Sequence, residues 1–166
     1  MYTEQHFLDL YRVSDLDEKW ENGYCTYRDI IENDKLTTAY HEAGHAVIGA
    51  LMGYEIGLCQ IFPNNCISFS KEKSWLGNCK YRPQSLTEDH AIFAAAGKIA
   101  ELLDGNNWND VSDIWGHCFT IEDLESIYLD LSPTDLEGIS CSDNIEETFN
   151  EAHSLLIENK GAVQRV

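Results

Sequence analysis

The spacing of hydrophobic residues predicts two long helices in the first two thirds of the chain. From Asn33-Asp34, which we interpret as a helix start, apolar side chains recur every three or four residues up to Leu51, and Gly53 follows as a candidate C-cap. A second helix is predicted over residues 87–103, since Ser85-x-x-Glu88 has the capping-box pattern that begins helices. Further helical patterns cover residues 4–13, 120–131 and 143–159.

Short runs of aromatic and β-branched residues between the two long helices predict strands. These runs are residues 59–62, 66–70 and 75–81, and they are separated by Pro-Asn-Asn and by Lys-Glu-Lys. Short strands joined by turn-forming residues favour a small antiparallel sheet. A mostly α-helical chain with one such sheet belongs to the α+β class.

The first long helix contains His41-Glu42-Ala43-Gly44-His45, which is an H-E-x-x-H motif. Two imidazoles four residues apart are offset by about 40° around a helix, so both can reach one zinc ion, and Glu42 points to the flank beside them. Zinc lowers the pKa of a bound water to about 7, and a nearby carboxylate can take that proton and hand it to a leaving amine. The motif therefore predicts metal-assisted hydrolysis.

Glycine inside the motif indicates that another helix packs closely against it. Gly44 lies in a helix interior, where glycine costs about 1 kcal/mol relative to alanine, so a close backbone approach is expected on that side. Gly97, inside the second long helix, is the natural partner. Such a crossing would bring Glu101, one turn after Gly97, near the helix that carries the motif.

The residues around the motif resemble a known family. Residues 38–47, Thr-Ala-Tyr-His-Glu-Ala-Gly-His-Ala-Val, are similar to the A-Y-H-E-A-G-H-A signature in the peptidase domain of FtsH-type zinc metalloproteases. Residues 61–63 and 76–81 resemble that family's short strands, residues 96–101 its G-[RK]-x-A-E helix, Ser112-Asp113-Ile114 its S-N-D-[IL] segment, and residues 145–160 its C-terminal helix. The resemblance implies an FtsH-like zinc peptidase domain over residues 35–166, with residues 1–34 as an N-terminal extension packed on it.

The resemblance also implies a zincin-like metalloprotease fold with Zn²⁺ as cofactor. His41, His45 and Asp113 would be the zinc ligands and Glu42 the general base. Asp110 stays open as an alternative to Asp113, because the loop over residues 105–114 is shorter than the family's usual one. Glu101 is the other alternative, since a glutamate on a later helix is the third ligand in thermolysin-like enzymes. We prefer Glu101 as a residue that orients a zinc-bound histidine rather than as a ligand.

Charge and composition narrow the partners and the compartment. The 166 residues include 29 Asp and Glu against 11 Lys and Arg, a formal net charge of -18, so nucleic acid is not expected as a partner. No apolar run reaches the roughly 20 residues of a membrane span, and the N-terminus lacks the features of a signal peptide. We therefore expect a cytoplasmic protein without a membrane partner. The six irregularly spaced cysteines are interpreted as reduced, mostly buried and outside the chemistry.

The sequence has no G-x-x-x-x-G-K-[ST] loop, so we expect no use of ATP. The predicted function is an ATP-independent zinc metalloendopeptidase that hydrolyses unfolded proteins or short peptides through a zinc-activated water. The alternative is a protease-derived zinc-binding regulatory module with weak or lost turnover. Intact Glu42 argues against the alternative, because a structural zinc needs no general base. A homo-oligomer stays open as the assembly.

Overall fold

The longest helix, α2, spans Tyr27–Leu51 and begins earlier than its predicted start at Asn33-Asp34. A computed structural model describes residues 3–20, 23–64, 73–82, 89–103 and 131–166 of the protein. In it, Thr26 is the N-cap and forms a capping box with Asp29, the feature that begins a helix. The predicted start was wrong, because Thr26 caps the helix and Asp34 lies inside it with its carboxylate bound to another segment. This carboxylate accepts hydrogen bonds from the backbone N–H (2.8 Å) and hydroxyl (2.7 Å) of Ser74.

Helix α2 ends at Leu51, and Gly53 follows with a φ of 76°, as expected for a glycine just past a helix. Two strands, β1 (Glu55–Pro63) and β2 (Trp75–Arg82), then pair in antiparallel fashion. The small antiparallel sheet predicted from the sequence is thus confirmed. The strand predicted over residues 66–70 lies outside the described residues.

The next helix, α3 (Asp89–Leu102), crosses α2 at very close range. A Cβ atom added to Gly44 would lie 2.5 Å from the Ala96 carbonyl oxygen and 2.7 Å from the Ala100 Cβ, so only glycine fits there. The predicted close crossing is confirmed, although Gly44 meets these two alanines rather than Gly97. Alanine and glycine at the crossing bring the backbones of the two helices together.

Three helices complete the described part of the chain: α4 (Pro133–Ile139), α5 (Ile145–Glu158) and α6 (Lys160–Val163). Helix α5 confirms the prediction for residues 143–159, while the helix predicted over 120–131 lies almost entirely outside the described residues. Helix α4 is not among the helices predicted from the sequence, and a proline such as Pro133 would break a helix interior. Pro133 instead occupies the first turn of α4, where a missing N–H costs nothing, after Ser132 as N-cap.

Helices α4 and α5 pack on α3, and their buried side chains Ile139, Phe149 and Leu156 join the α2–α3 core. A smaller cluster of Phe7, Leu16 and Ile31 links helix α1 (Glu4–Tyr11) to the start of α2. Helix α2 runs across the boundary proposed between residues 34 and 35. The described residues form an α+β fold that is mostly helical, as predicted from the sequence. None of the helices described is both long and apolar enough to pass through a bilayer.

Candidate metal centre

The two histidines of the H-E-x-x-H motif lie one turn apart in α2 and face the same point. Their Nε2 atoms are 3.0 Å apart. The Nδ1 atom of His41 lies 2.8 Å from Glu101 Oε1, and that of His45 lies 2.9 Å from the carbonyl oxygen of Phe93. When each Nδ1–H donates to its acceptor, both Nε2 lone pairs are left for a metal ion, which is the usual way that proteins orient such ligands.

The third residue of a group that could hold a metal ion is Asp135, in the first turn of α4. Its Oδ2 lies 3.4 Å from His41 Nε2, and its Oδ1 lies 3.4 Å from His45 Nε2. One ligand atom from each of the three residues falls within 4.8 Å of the other two. A tetrahedral zinc with bonds of about 2.0–2.1 Å separates its ligand atoms by roughly 3.3 Å, so the spacing fits a small divalent ion.

Burial and local hydrogen bonds fix these ligands. Asp135 is 6% exposed and His45 is also 6% exposed. The Ser132 hydroxyl donates to Asp135 Oδ2 at 2.7 Å, and the Asp135 backbone N–H donates to the same hydroxyl at 3.1 Å. The N-cap interaction that begins α4 therefore also orients the carboxylate toward the histidines.

Sequence reasoning missed Asp135. The ligand predicted in its place, Asp113, and its alternative Asp110 lie outside the described residues, so their roles stay predictions. Asp135-Leu136 matches the Asp-[IL] ending of the family's S-N-D-[IL] segment, but so do Asp113-Ile114 and five other pairs in the chain, so this motif does not single out Asp135. Because the sequence pattern does not predict α4, it does not place Asp135 on a helix beside the histidines.

Glu101, the other alternative, lies on the far side of the His41 ring from the ligand position. Besides His41 Nδ1, its carboxylate receives Lys73 Nζ at 2.7 Å and Lys98 Nζ at 3.0 Å. Its side chain is only 7% exposed. Burial opposes ionisation of Glu101, but the hydrogen bond from His41 and the charges of His41 and the two lysines outweigh it and lower its pKa to about 2.

In the protein without bound metal, the charged forms of His41 and Asp135 stabilise each other. Burial disfavours a charged His41, yet hydrogen bonds to Asp135 and Glu101 raise its pKa to about 9. Burial of Asp135 acts against its ionisation, but hydrogen bonds from both histidines hold its pKa well below its usual range. A metal ion must therefore displace a proton from His41 in order to bind.

Glu42, the predicted general base, faces β2 and is 8% exposed. A Cβ atom on Gly77 of β2 would overlap the Glu42 carboxylate, so this strand leaves room for the side chain by having glycine there. Burial raises the pKa of Glu42 above its ordinary value. A cleft of about 450 Å³ is lined by Glu42, by all three ligand residues and by Glu101.

Gly97 of α3 lies directly against the histidine rings. A Cβ atom there would come within 2.7 Å of His41 Nε2 and closer still to His45 Nε2. The two glycines singled out in the sequence thus have different roles. Gly44 leaves space for the backbone of α3, and Gly97 leaves space for the two imidazole rings.

Compared with known protein families and with curated proteins, the chain gives no significant match. The resemblance to FtsH-type peptidases therefore depends on the quoted motifs alone.

Proposed function

We propose that the protein is a zinc-dependent metalloendopeptidase with a zincin-like, FtsH-like peptidase fold, which hydrolyses unfolded proteins or short peptides without ATP. The observation that carries this proposal is the gathering of His41, His45 and Asp135 in one cleft with Glu42 beside them. The motif resemblance supports the same reading. Two imidazoles and one carboxylate, with a further carboxylate nearby, are the side chains that a catalytic zinc site uses.

In this proposal His41, His45 and Asp135 hold the metal through Nε2, Nε2 and a carboxylate oxygen. Imidazole and carboxylate ligands suit zinc, and their spacing in the cleft agrees with its bond lengths. Bound zinc would lower the pKa of a water and polarise the substrate carbonyl. Glu101 and the Phe93 carbonyl would keep the two histidine rings in the tautomer that leaves Nε2 for the metal.

Glu42 would move the proton. Its carboxylate would accept a proton from the attacking water and return it to the amine that leaves when the peptide bond breaks. Because burial raises its pKa, Glu42 is a better proton acceptor than an exposed glutamate would be. Gly77 keeps the space that this carboxylate occupies.

Substrate would lie along β2. The cleft is lined by the consecutive residues Trp75–Cys79 of this strand, next to Glu42. Among the described strands, β2 pairs with β1 along one edge. An extended peptide could add to the other edge through main-chain hydrogen bonds, which select little for sequence and would suit unfolded chains.

Two measurements on one preparation test the proposal. Metal analysis of the purified protein is expected to give about one zinc per chain, and an unfolded protein such as casein should be cleaved without nucleotide and protected by a chelator. Glu42→Gln should keep the zinc and lose cleavage, because the amide cannot accept the proton. Asp135→Ala should lose both.

The outcomes separate the alternatives. Zinc bound by a wild-type protein that cleaves no unfolded substrate would favour the regulatory module over the peptidase. Failure to bind zinc after reconstitution would contradict both. Zinc retained at full affinity by Asp135→Ala would assign the third ligand to another residue, with Asp113 and Asp110 the next to be substituted.

A further inference from the structure

A pair of cysteines faces each other across the sheet, next to the cleft. Cys59 of β1 and Cys79 of β2 are directly opposite in the antiparallel register, and their Sγ atoms lie 2.7 Å apart. Both are free thiols and both are partly buried. The sequence interpretation of mostly buried cysteines was wrong for the four that the structure describes, since Cys25 is also partly buried and Cys141 is exposed.

The pair lies on the sheet face that is turned toward the motif helix. Side chains alternate along β2, so Cys79 shares its face with Gly77, against which the Glu42 carboxylate packs. Cys79 also lines the cleft, which gives a small oxidant a route to it from solvent. The position is therefore accessible and close to the candidate general base.

We propose that Cys59 and Cys79 form a redox modification site, in which hydrogen peroxide converts the two thiols into a cross-strand disulfide. One thiol, as thiolate, attacks a peroxide oxygen, which breaks the O–O bond, releases one water after protonation and leaves a sulfenic acid. The second thiol attacks that sulfur, which forms the S–S bond and releases a second water. Two thiols are oxidised while one hydrogen peroxide is reduced to two waters. Formation of this disulfide does not require the proposed peptidase activity.

Opposed positions in an antiparallel pair already have the proximity that a disulfide needs, so little movement of the backbone is required. Burial raises the pKa of both thiols, and the nearby charge of Glu42 acts in the same direction. Both are protonated at neutral pH, and the reaction should therefore be slow, over minutes to hours. A reducing agent should reverse it by thiol exchange.

The disulfide would close the loop between β1 and β2 and tie together the two strands beside Glu42. In the chain-entropy picture, a bridge over a loop of about 20 residues restricts the unfolded chain, and in a protein of this size it should raise the Tm by roughly 5–10 °C. Thermal stability thus gives a readout that does not depend on activity.

Mass spectrometry of the full chain tests the site. The protein is treated with hydrogen peroxide, remaining thiols are blocked with N-ethylmaleimide, and the protein is digested without reduction. We expect a peptide that links Cys59 to Cys79, a fall of two in the number of free thiols, and recovery after dithiothreitol. The Tm of the oxidised protein should rise.

Two variants control the assignment. Cys79→Ser, checked for folding by circular dichroism, should lose the linked peptide and the gain in Tm, whereas Cys141→Ser at the exposed cysteine should keep both. The proposal is overturned if peroxide oxidises other cysteines without linking this pair, or if Cys59 or Cys79 couples instead to a different cysteine. A complete Cys59–Cys79 bond with an unchanged Tm would overturn the claim that it ties the two strands.

Discussion

His41 and His45 belong to one motif, yet the two sides of the site hold them by different means. On the polar side, His41 is fixed by the buried Glu101 carboxylate, which two lysines also contact. On the apolar side, His45 donates to the backbone carbonyl of Phe93, and its ring packs on the Phe93 ring with centroids 4.9 Å apart. Asp135 contacts both rings, and apart from it His41 depends on an ionised side chain and His45 on the backbone of α3.

The difference shows which interactions a substitution or a change of pH can remove. A carboxylate can be removed or protonated, whereas a backbone carbonyl stays in place as long as α3 is folded. Phe93 itself is held in an aromatic group, 4.2 Å from the Tyr81 ring and 5.4 Å from the Tyr54 ring, measured between centroids. We therefore expect the position of His45 to be rigid, and the interactions of His41 to change with pH and with substitution of Glu101.

Gly97→Ala should displace both histidines at once and have the largest effect on zinc binding. The added methyl group would overlap both imidazoles, so the rings or the helices must move, at a cost of about 1–3 kcal/mol in the free energy of unfolding. Zinc content, measured by metal analysis, should fall from about one per chain to near zero. Gly161→Ala, a helical glycine in α6 with room for a methyl group, is the matched control and should bind zinc normally. A Gly97→Ala protein with full zinc content would contradict the placement of this glycine.

A rise in pH should lower the free energy of unfolding of the metal-free protein, because His41 loses its charge. The folded-state pKa of His41, about 9, lies above the ordinary value of 6.5. Its stabilisation is therefore complete below pH 6.5 and is lost as the pH rises through 9, by about 3 kcal/mol shared with its two carboxylate partners. Urea unfolding with a chelator at pH 6 and pH 9.5 measures this loss.

Glu101→Gln is the control for that measurement. With the charge of Glu101 removed, Asp135 alone favours the charged imidazole, so the loss of stability between the two pH values should be smaller than in the wild type. Equal losses in the two proteins would mean that Glu101 does not hold the His41 charge.

The two sides can also be compared directly through zinc affinity. Glu101→Gln should weaken zinc binding about 10–100-fold, since a neutral amide orients and polarises His41 less well than a carboxylate. Phe93→Leu removes ring contacts but keeps the carbonyl that accepts from His45, so its affinity should change by less than about threefold. Competition with a chelator of known affinity gives both constants. A larger effect from Phe93→Leu would reverse the assignment of rigid and adjustable sides.

Sequence patterns predicted the local features of this protein well. The α+β class, the antiparallel sheet, α5 and the close approach at Gly44 all follow from side-chain spacing or from the demands of one residue. The predicted start of α2 was wrong because a polar residue had a distant partner. Asp34 is of a residue type that often caps helices, but its carboxylate accepts hydrogen bonds from Ser74, the residue just before β2.

The sequence by itself determined that two imidazoles and a glutamate share one helix, because the helical period fixes how residues four apart are oriented. It also determined that a helix approaches closely at Gly44. Only the tertiary structure decided that Asp135 completes the described ligand cluster, that His41 rather than His45 is the histidine that Glu101 contacts, and that Cys59 meets Cys79. These contacts join residues far apart in the chain, and their geometry depends on how whole helices and strands pack.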